Sequence, residues 1–470
     1  MVRSTTPGVV GISEKNPHYF QYKGKEVLLI TSAEHYGAVI SKNFDYVKYF
    51  DKLAEYGLNY TRIYPGAFVE RPGRWMPDDN MAPSADVIVP WARSDTPGYY
   101  GGGNKFDLSK WDPEYFARLG DFMEQAEKRG IVVEICFFNA QYDGFWEYSP
   151  MHVNANIQGI GGGDPNEYQT LDNAALVAEQ LKYIEKIIIE TNRYDNVIYE
   201  FIDEPTLQLT PSQKAFKWIS ALIDKAVETE DNLPKKHLLA QQLEFGIDFC
   251  DDDRVGLIVT QYISASSRQV GGVPALENCY CYKKPIELNE TFYVNSWKKE
   301  GLAEPSRLEA WEFMVGGGAG FNQLNGFFVV PNPSGENDDN HELLQGLKNL
   351  RTFLESFDYA KMTRADHVTR YVSIGARLNV IAEKGRQYAM YMHHSFPSIG
   401  ECFGTCYQPN YGDYAPTIKM NLEAGEYALT FIEPATLRVL GEQSLKSDGG
   451  AVDFTCPKYT LDIAIKIIAK

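Results

Sequence analysis

Two short segments carry acids in places where they could do chemistry. Residues 199–205 read Tyr-Glu-Phe-Ile-Asp-Glu-Pro, and residues 285–290 read Pro-Ile-Glu-Leu-Asn-Glu. Each is a short apolar strand pattern ending in a glutamate, Glu204 in the first and Glu290 in the second. Two carboxyl groups from different strands can divide the work of breaking a glycosidic bond. One protonates the leaving oxygen while the other attacks the sugar carbon. A lone glutamate at a strand end reads by default as half of a structural ion pair. Two of them, each in its own motif, favour catalysis. Glu200 and Glu287 are rival acids on the same strands, but each stands well before its strand's end.

Such a pair works only if the fold brings both acids to one cleft. A Lys23-Gly24-Lys25 turn leads into an apolar strand over 27–30, and from there strand and helix patterns alternate. Strands are expected at 58–64, 131–138, 197–202, 237–243, 255–262, 286–290 and 319–325. Helices are expected at 44–56, 112–129, 171–191, 211–228, 305–315 and 341–356, with 65–110 as a long loop. Alternation of this kind specifies a parallel sheet, and eight units within about 340 residues fit a (β/α)8 TIM barrel with long insertions. The near-continuous apolar strands agree, because barrel strands are covered on both faces. An open doubly wound sheet ranks second, since no Gly-x-Gly-x-x-Gly follows the first strand.

Catalytic groups of such barrels sit at the C-terminal strand ends, here strand four for Glu204 and strand seven for Glu290. The stretch between them covers three strand-to-strand steps, at roughly 31 residues each in a barrel of about 250 residues. After about residue 360 the pattern becomes short, alternating strands rich in Val, Ile, Tyr and Thr, separated by turns. The expected organisation is a barrel over 1–360 and a small C-terminal β-sandwich over 361–470. The sandwich is read as packing against the barrel, with sugar binding as its alternative role.

Composition narrows the partners. The 470 residues carry a formal charge of −18, which argues against nucleic acid or an anionic membrane as partner. No apolar run is long enough to span a bilayer. Seven scattered cysteines without a CxxC or zinc spacing read as reduced and structural. Together with the absence of an apolar core in the first residues, this makes a cytoplasmic location the expectation. Three glycine triplets lack the Lys-Ser/Thr of a phosphate loop, and Gly-x-Ser-x-Gly does not occur. No cofactor or metal is called for, a carbohydrate is the expected partner, and the oligomeric state is open.

Residues 195–205, Asp-Asn-Val-Ile-Tyr-Glu-Phe-Ile-Asp-Glu-Pro, and 284–291, Lys-Pro-Ile-Glu-Leu-Asn-Glu-Thr, resemble the strand-four and strand-seven signatures of a glycoside hydrolase clan. The clan has catalytic glutamates on those two strands and includes cellulase-like, family 5-like enzymes. Phe106–Leu108, Gly130-Ile131 and Asn156–Ile160 are similar to its cellulase-like members, and as a layout the resemblance spans 18–360. It implies a retaining mechanism with Glu204 as acid/base and Glu290 as nucleophile. The charge of Glu290 would help Glu204 hold its proton until the glycosyl-enzyme forms.

One departure stands beside the first acid. The clan usually has Asn before it, and this chain has Asp203, which when ionised accepts but cannot donate to a sugar 2-hydroxyl. Asp203 therefore reads either as a sugar contact or as the partner of an arginine. The resemblance also implies a site role for Arg62 on strand two, beside the nucleophile, and for Tyr262 at the end of strand six. At the end of strand eight, where the clan commonly has Trp, stand Gln323 and Asn325. His35 at the end of strand one, and Asn139 and Gln141 at the end of strand three, are further candidates for substrate contact. Trp146 and Trp297 lead the candidate stacking rings, ahead of Trp75, Trp91, Tyr99 and Tyr100; the competing reading is that each pins its own loop. A non-catalytic sugar-binding barrel, an inverting enzyme and a transglycosylase are the alternatives.

Overall fold

The computed structural model describes residues 2–73, 80–81, 87–261, 263–264, 269–270, 272–291, 301–399 and 405–470. Eight strands form one sheet: β1 (Leu29–Thr31), β2 (Tyr60–Ile63), β3 (Val132–Asn139), β4 (Val197–Asp203), β5 (Leu238–Gln242), β6 (Leu257–Gln261), β7 (Ile286–Thr291) and β8 (Gly320–Gln323). Their order in the sheet is 1-8-7-6-5-4-3-2. The pairs β2–β3, β3–β4, β4–β5, β5–β6 and β7–β8 are parallel. Asn59 links the two ends of that order. Its N–H donates to the Ile30 carbonyl (3.3 Å), its Oδ1 accepts from the Ile30 N–H (3.1 Å), and its Nδ2 donates to the Leu28 carbonyl (2.9 Å). The expected barrel is thus the observed one, and its strands are buried along their whole length.

Helices α1 (Tyr46–Glu55), α2 (Pro113–Lys128), α3 (Ala174–Thr191), α4 (Ser212–Asp231), α5 (Val273–Cys279), α6 (Ala303–Val315) and α7 (Asp338–Glu355) lie between or after the strands. Side chains of Asp45, Asp112, Asn173 and Asn337 accept from first-turn N–H groups, which fixes where four of them begin. Two stretches depart from expectation. Val273–Cys279, the short helix α5 between β6 and β7, has no counterpart among the expected helices. The supposed loop 65–110 contains an antiparallel hairpin, Trp91–Pro97 with Asn104–Trp111, whose first strand is mostly exposed and polar and carries little hydrophobic pattern.

The C-terminal strands are antiparallel and lie in a six-stranded sheet, a three-stranded sheet and a two-stranded pair, Ser395–Ile399 with Thr405–Pro409. Val380, Met390, Met392, Leu429 and Ile465 of the larger sheet share one core with Ile418, Met420, Leu422 and Phe454 of the smaller. Alternation produces that core: in Thr417–Leu422 every second residue is buried, as a two-residue strand period requires. This is the β-sandwich that the short alternating segments predict.

The residues group into two compact units with interleaved bounds. The first holds Met1–Ile12, Phe20–Val259 and Leu324–Glu336; the second holds Ser13–Tyr19, Thr260–Gln323 and Asn337–Lys470. Among the described residues no helix is long and apolar enough to cross a membrane.

Candidate active site

In the first unit, strands β2 to β4 deliver charge to the barrel interior. In the register of β2 with β3, Arg62 stands opposite Glu134. The fully buried Arg62 reaches Glu200 through Nε (2.8 Å) and Nη2 (2.7 Å), and Asp203 through Nη2 (2.9 Å). Its guanidinium also lies 4.8 Å from the centre of the Tyr36 ring. Burial pushes the Glu200 carboxyl up to about 8; Arg62 opposes that rise, and Glu134 and Asp203 reinforce it.

Asp203 accepts from the Tyr64 hydroxyl as well, and Asn139 donates to that hydroxyl (3.2 Å). Asp203 is therefore engaged by an arginine, as one of its two readings required. Asn139 reaches it through Tyr64. Gln141 is turned toward the backbone: its N–H donates to Gln208 Oε1 (3.2 Å) and its Nε2 to the Asn139 carbonyl (3.3 Å).

Beyond Asp203 the strand breaks. Glu204 has φ 49°, in the left-handed region that costs a residue with a side chain roughly 1–2 kcal/mol. Three hydrogen bonds hold it there. Its N–H donates to Gln242 Oε1 (2.7 Å), its carbonyl accepts from the Leu207 N–H (3.0 Å), and its Oε2 accepts from the Tyr142 hydroxyl (3.1 Å). Backbone in such a sparsely populated region gathers at functional sites, where the surroundings over-determine it. Glu204 retains 7 % exposure, whereas Glu200 has none. That difference separates the two rival acids of β4.

Glu290 belongs to the second unit and also sits at an irregularity. Leu288 pairs with Phe321 and Thr291 with Gln323, so β7 spends one more residue than β8 across that stretch. The extra residue makes a β-bulge at Asn289-Glu290, and bulges re-aim side chains next to active sites. Asn322 Nδ2 donates to the Asn289 carbonyl (2.8 Å) and fixes the bulged backbone. Glu290 is 8 % exposed and Glu287, earlier on the strand, is fully buried. Gln323 lies buried on the neighbouring β8.

The other candidates divide. His35 Nε2 is 3.3 Å from Glu70 Oε1, in a loop that Glu34 organises by accepting from the N–H groups of Gly37 and Ala38. Trp146 is buried. Its Nε1 donates to the Gly162 carbonyl (2.9 Å) and its ring meets His152 and Tyr168 edge-on, so it pins its own loop. Trp91 is likewise buried, stacked on Tyr183, and Tyr99 is buried with its hydroxyl on the Tyr148 carbonyl. Tyr100 is exposed. Trp75, Tyr262 and Trp297 lie outside the described residues. Among the described residues no group of three or more His, Cys, Asp or Glu could hold a metal ion.

Tyr142, Gln242, Thr206 and Glu244 form part of this surround although no motif marks them. The one available signal is the polar Gln241-Gln242 that ends the apolar run Leu238-Leu239-Ala240. Gln242 Nε2 donates to Glu244 Oε1 (2.8 Å), and the Thr206 hydroxyl donates to Glu244 Oε2 (2.9 Å).

Comparison with solved structures places the fold. A protein described as a glycoside hydrolase superposes with TM-score 0.64 over 99 % of both chains, at 12 % identity. A glycoside hydrolase family 5 protein from Bacteroides vulgatus gives TM-score 0.65 over 99 % of this chain and 95 % of its own, at 11 % identity. A second protein from that organism, described as a putative glycoside hydrolase, gives 0.60 at 13 % identity, over 98 % of this chain and 82 % of its own. No family model matches this sequence, and no curated protein matches it. The barrel with its C-terminal β-sandwich is thus a fold that solved glycoside hydrolases share, those of family 5 included.

Proposed function

We propose that this protein is a retaining glycoside hydrolase that cleaves β-glycosidic bonds of an oligo- or polysaccharide by double displacement. Glu204 is the acid/base and Glu290 the nucleophile. The supporting observation is that each acid ends a strand of one barrel sheet, on a backbone irregularity, and keeps some exposure while its rival on the same strand is fully buried. In the first step a Glu290 oxygen bonds to the anomeric carbon as the glycosidic bond breaks, and Glu204 gives its proton to the departing oxygen. In the second step water attacks that carbon, Glu204 takes the water's proton, and the bond to Glu290 breaks. Tyr142, donating to Glu204 Oε2, steadies the carboxylate between the steps.

The test uses a panel of aryl β-glycosides and β-glucans. Glu204→Ala should lower turnover about 10²–10⁴-fold, with recovery by added azide on an activated aryl glycoside, and Glu290→Ala should abolish it. NMR of the first product should show the β-anomer. Turnover that survives both substitutions overturns the assignment. Sugar binding by a wild type without turnover would make the barrel a binding module. An α-anomer would make the enzyme inverting, with carboxyl groups about 6.5–9.5 Å apart rather than about 5–5.5 Å.

A further inference from the structure

A third carboxyl group, assigned no role above, grips the acid/base segment at two points. Glu244 follows β5 at the base of a tight hairpin. Its N–H donates to the Ile247 carbonyl (3.0 Å), and its carbonyl accepts from the Ile247 N–H (2.8 Å). Gly246, with φ 79°, makes the turn between them. The carboxyl group is thus carried on a short rigid loop and not on a free arm.

Its first grip passes through Gln242. A side-chain amide can be rotated by half a turn, exchanging oxygen and nitrogen. Here one end faces a donor, the Glu204 N–H, and the other faces an acceptor, Glu244 Oε1. Only one orientation satisfies both. Remove the acceptor and the amide loses the partner that keeps its oxygen on Glu204, at a residue held in left-handed backbone. The second grip is direct: the Thr206 hydroxyl donates to Glu244 Oε2 from the turn that the Leu207 N–H closes on the Glu204 carbonyl. Burial pushes Glu244 up to about 7, with the charge of Asp203 adding to the rise; Thr206, the Phe245 N–H and Gln242 act against it. Both carboxyl oxygens accept in this arrangement, as a carboxylate does.

We propose that Glu244 is a positioning residue for Glu204, locking the Gln242 amide and the Thr206 turn so that the acid/base keeps its left-handed backbone and its aim. The inference rests on the acid/base role proposed for Glu204. It is tested on the intact chain with phenyl and 2,4-dinitrophenyl β-glycosides of the sugar that the wild type hydrolyses fastest among gluco, manno, galacto and xylo. Phenol needs a proton to leave and 2,4-dinitrophenol does not, so a misaimed acid slows the first substrate selectively, whereas general damage slows both.

For Glu244→Ala, kcat/KM on the phenyl glycoside should fall about 10-fold or more, and on the dinitrophenyl glycoside less than about 3-fold. Glu244→Gln should stay within about 3-fold of wild type on both, because its oxygen still accepts from Gln242 and its amide can donate to Thr206. Equal losses on both substrates, no loss with Glu244→Ala, or a glutamine variant as impaired as the alanine one would each overturn the proposal. A crystal structure of Glu244→Ala gives a readout independent of turnover. Rotation of the Gln242 amide away from the Glu204 N–H is expected, and an unchanged hydrogen bond there would overturn the proposal. Glu204→Ala separates the two levels. If it fails to discriminate between the substrates, the acid/base reading itself falls. If it discriminates and Glu244→Ala does not, only the role of Glu244 falls.

Discussion

Arg62→Met is the substitution whose consequence follows most directly from the barrel interior. Arg62 is fully buried and touches Glu200 and Asp203 at 2.7–2.9 Å, with Glu134 at 4.0 Å. Removing one partner of a buried pair costs about 3–5 kcal/mol, because the remaining charge has neither water nor a counter-ion. Unfolding entropy near 2.1 cal/mol/K per residue comes to about 1 kcal/mol/K for a chain of this length, so a single transition should shift by about 3–5 °C.

The loss should also depend on pH, with a definite sign. Glu200 already titrates near 8 in the folded state, against 4.5 for an ordinary glutamate, and Arg62 is a cation holding it down. Without that cation its folded value rises further. Between the ordinary value and the folded one, the folded variant then binds a proton that the unfolded chain does not. Stability therefore falls with rising pH in wild type up to about 8 and in the variant to a higher pH, so the variant's excess loss develops above about pH 8. Differential scanning fluorimetry and urea titration of wild type and Arg62→Met at about pH 6 and about pH 9.5, on either side of the wild-type Glu200 value, measure both effects. Arg62→Met/Glu200→Gln should show less of that excess loss at the higher pH, since the titrating carboxyl group is gone. A variant within about 1 kcal/mol of wild type at the higher pH, or an equal loss on the two sides of pH 8, would refute the picture of a cation compensating buried acids.

Further outcomes are expected. Tyr142→Phe removes the hydroxyl 3.1 Å from Glu204 Oε2 and should lower kcat about 10-fold with little change in melting temperature, as loss of a hydrogen bond of about 1.5 kcal/mol to a charged group does; kinetics and melting on one preparation check it. Asn59→Ala deletes both side-chain links between the ends of the barrel order and should destabilise by about 1–3 kcal/mol, read by urea denaturation. Glu312 of α6, although burial alone would raise it, is held at about 2 by His393, Arg377 and the Tyr407 hydroxyl. Its folded value is lower than its unfolded one, so its contribution is present above about pH 4.5 and is lost as pH falls toward 2. Glu312→Gln should flatten the melting-temperature profile over that range.

Much of this architecture was legible along the chain. Periodicity placed the eight barrel strands and most of the helices, because a strand covered on both faces must be apolar throughout and an amphipathic helix must repeat near 3.6 residues. The strands that form the β-sandwich core were also plain, since their alternation is what builds it, whereas the pair Ser395–Ile399 and Thr405–Pro409 was not. The hairpin of Trp91–Pro97 with Asn104–Trp111 was not visible, because its first strand is mostly exposed and held by backbone pairing, which leaves little trace in hydrophobic pattern.

The two motifs marked Glu204 and Glu290 as the acids to watch, since residue type and position at a strand end are local properties. What only the folded molecule decided was company and aim. Which carboxyl groups share Arg62, that Trp146 turns into its own loop, that β7 bulges at Glu290, and that Gln242 and Glu244 hold Glu204 all depend on contacts between residues far apart in the chain. Local preference sets elements; the direction and charge state of a side chain answer to whatever tertiary packing brings beside it.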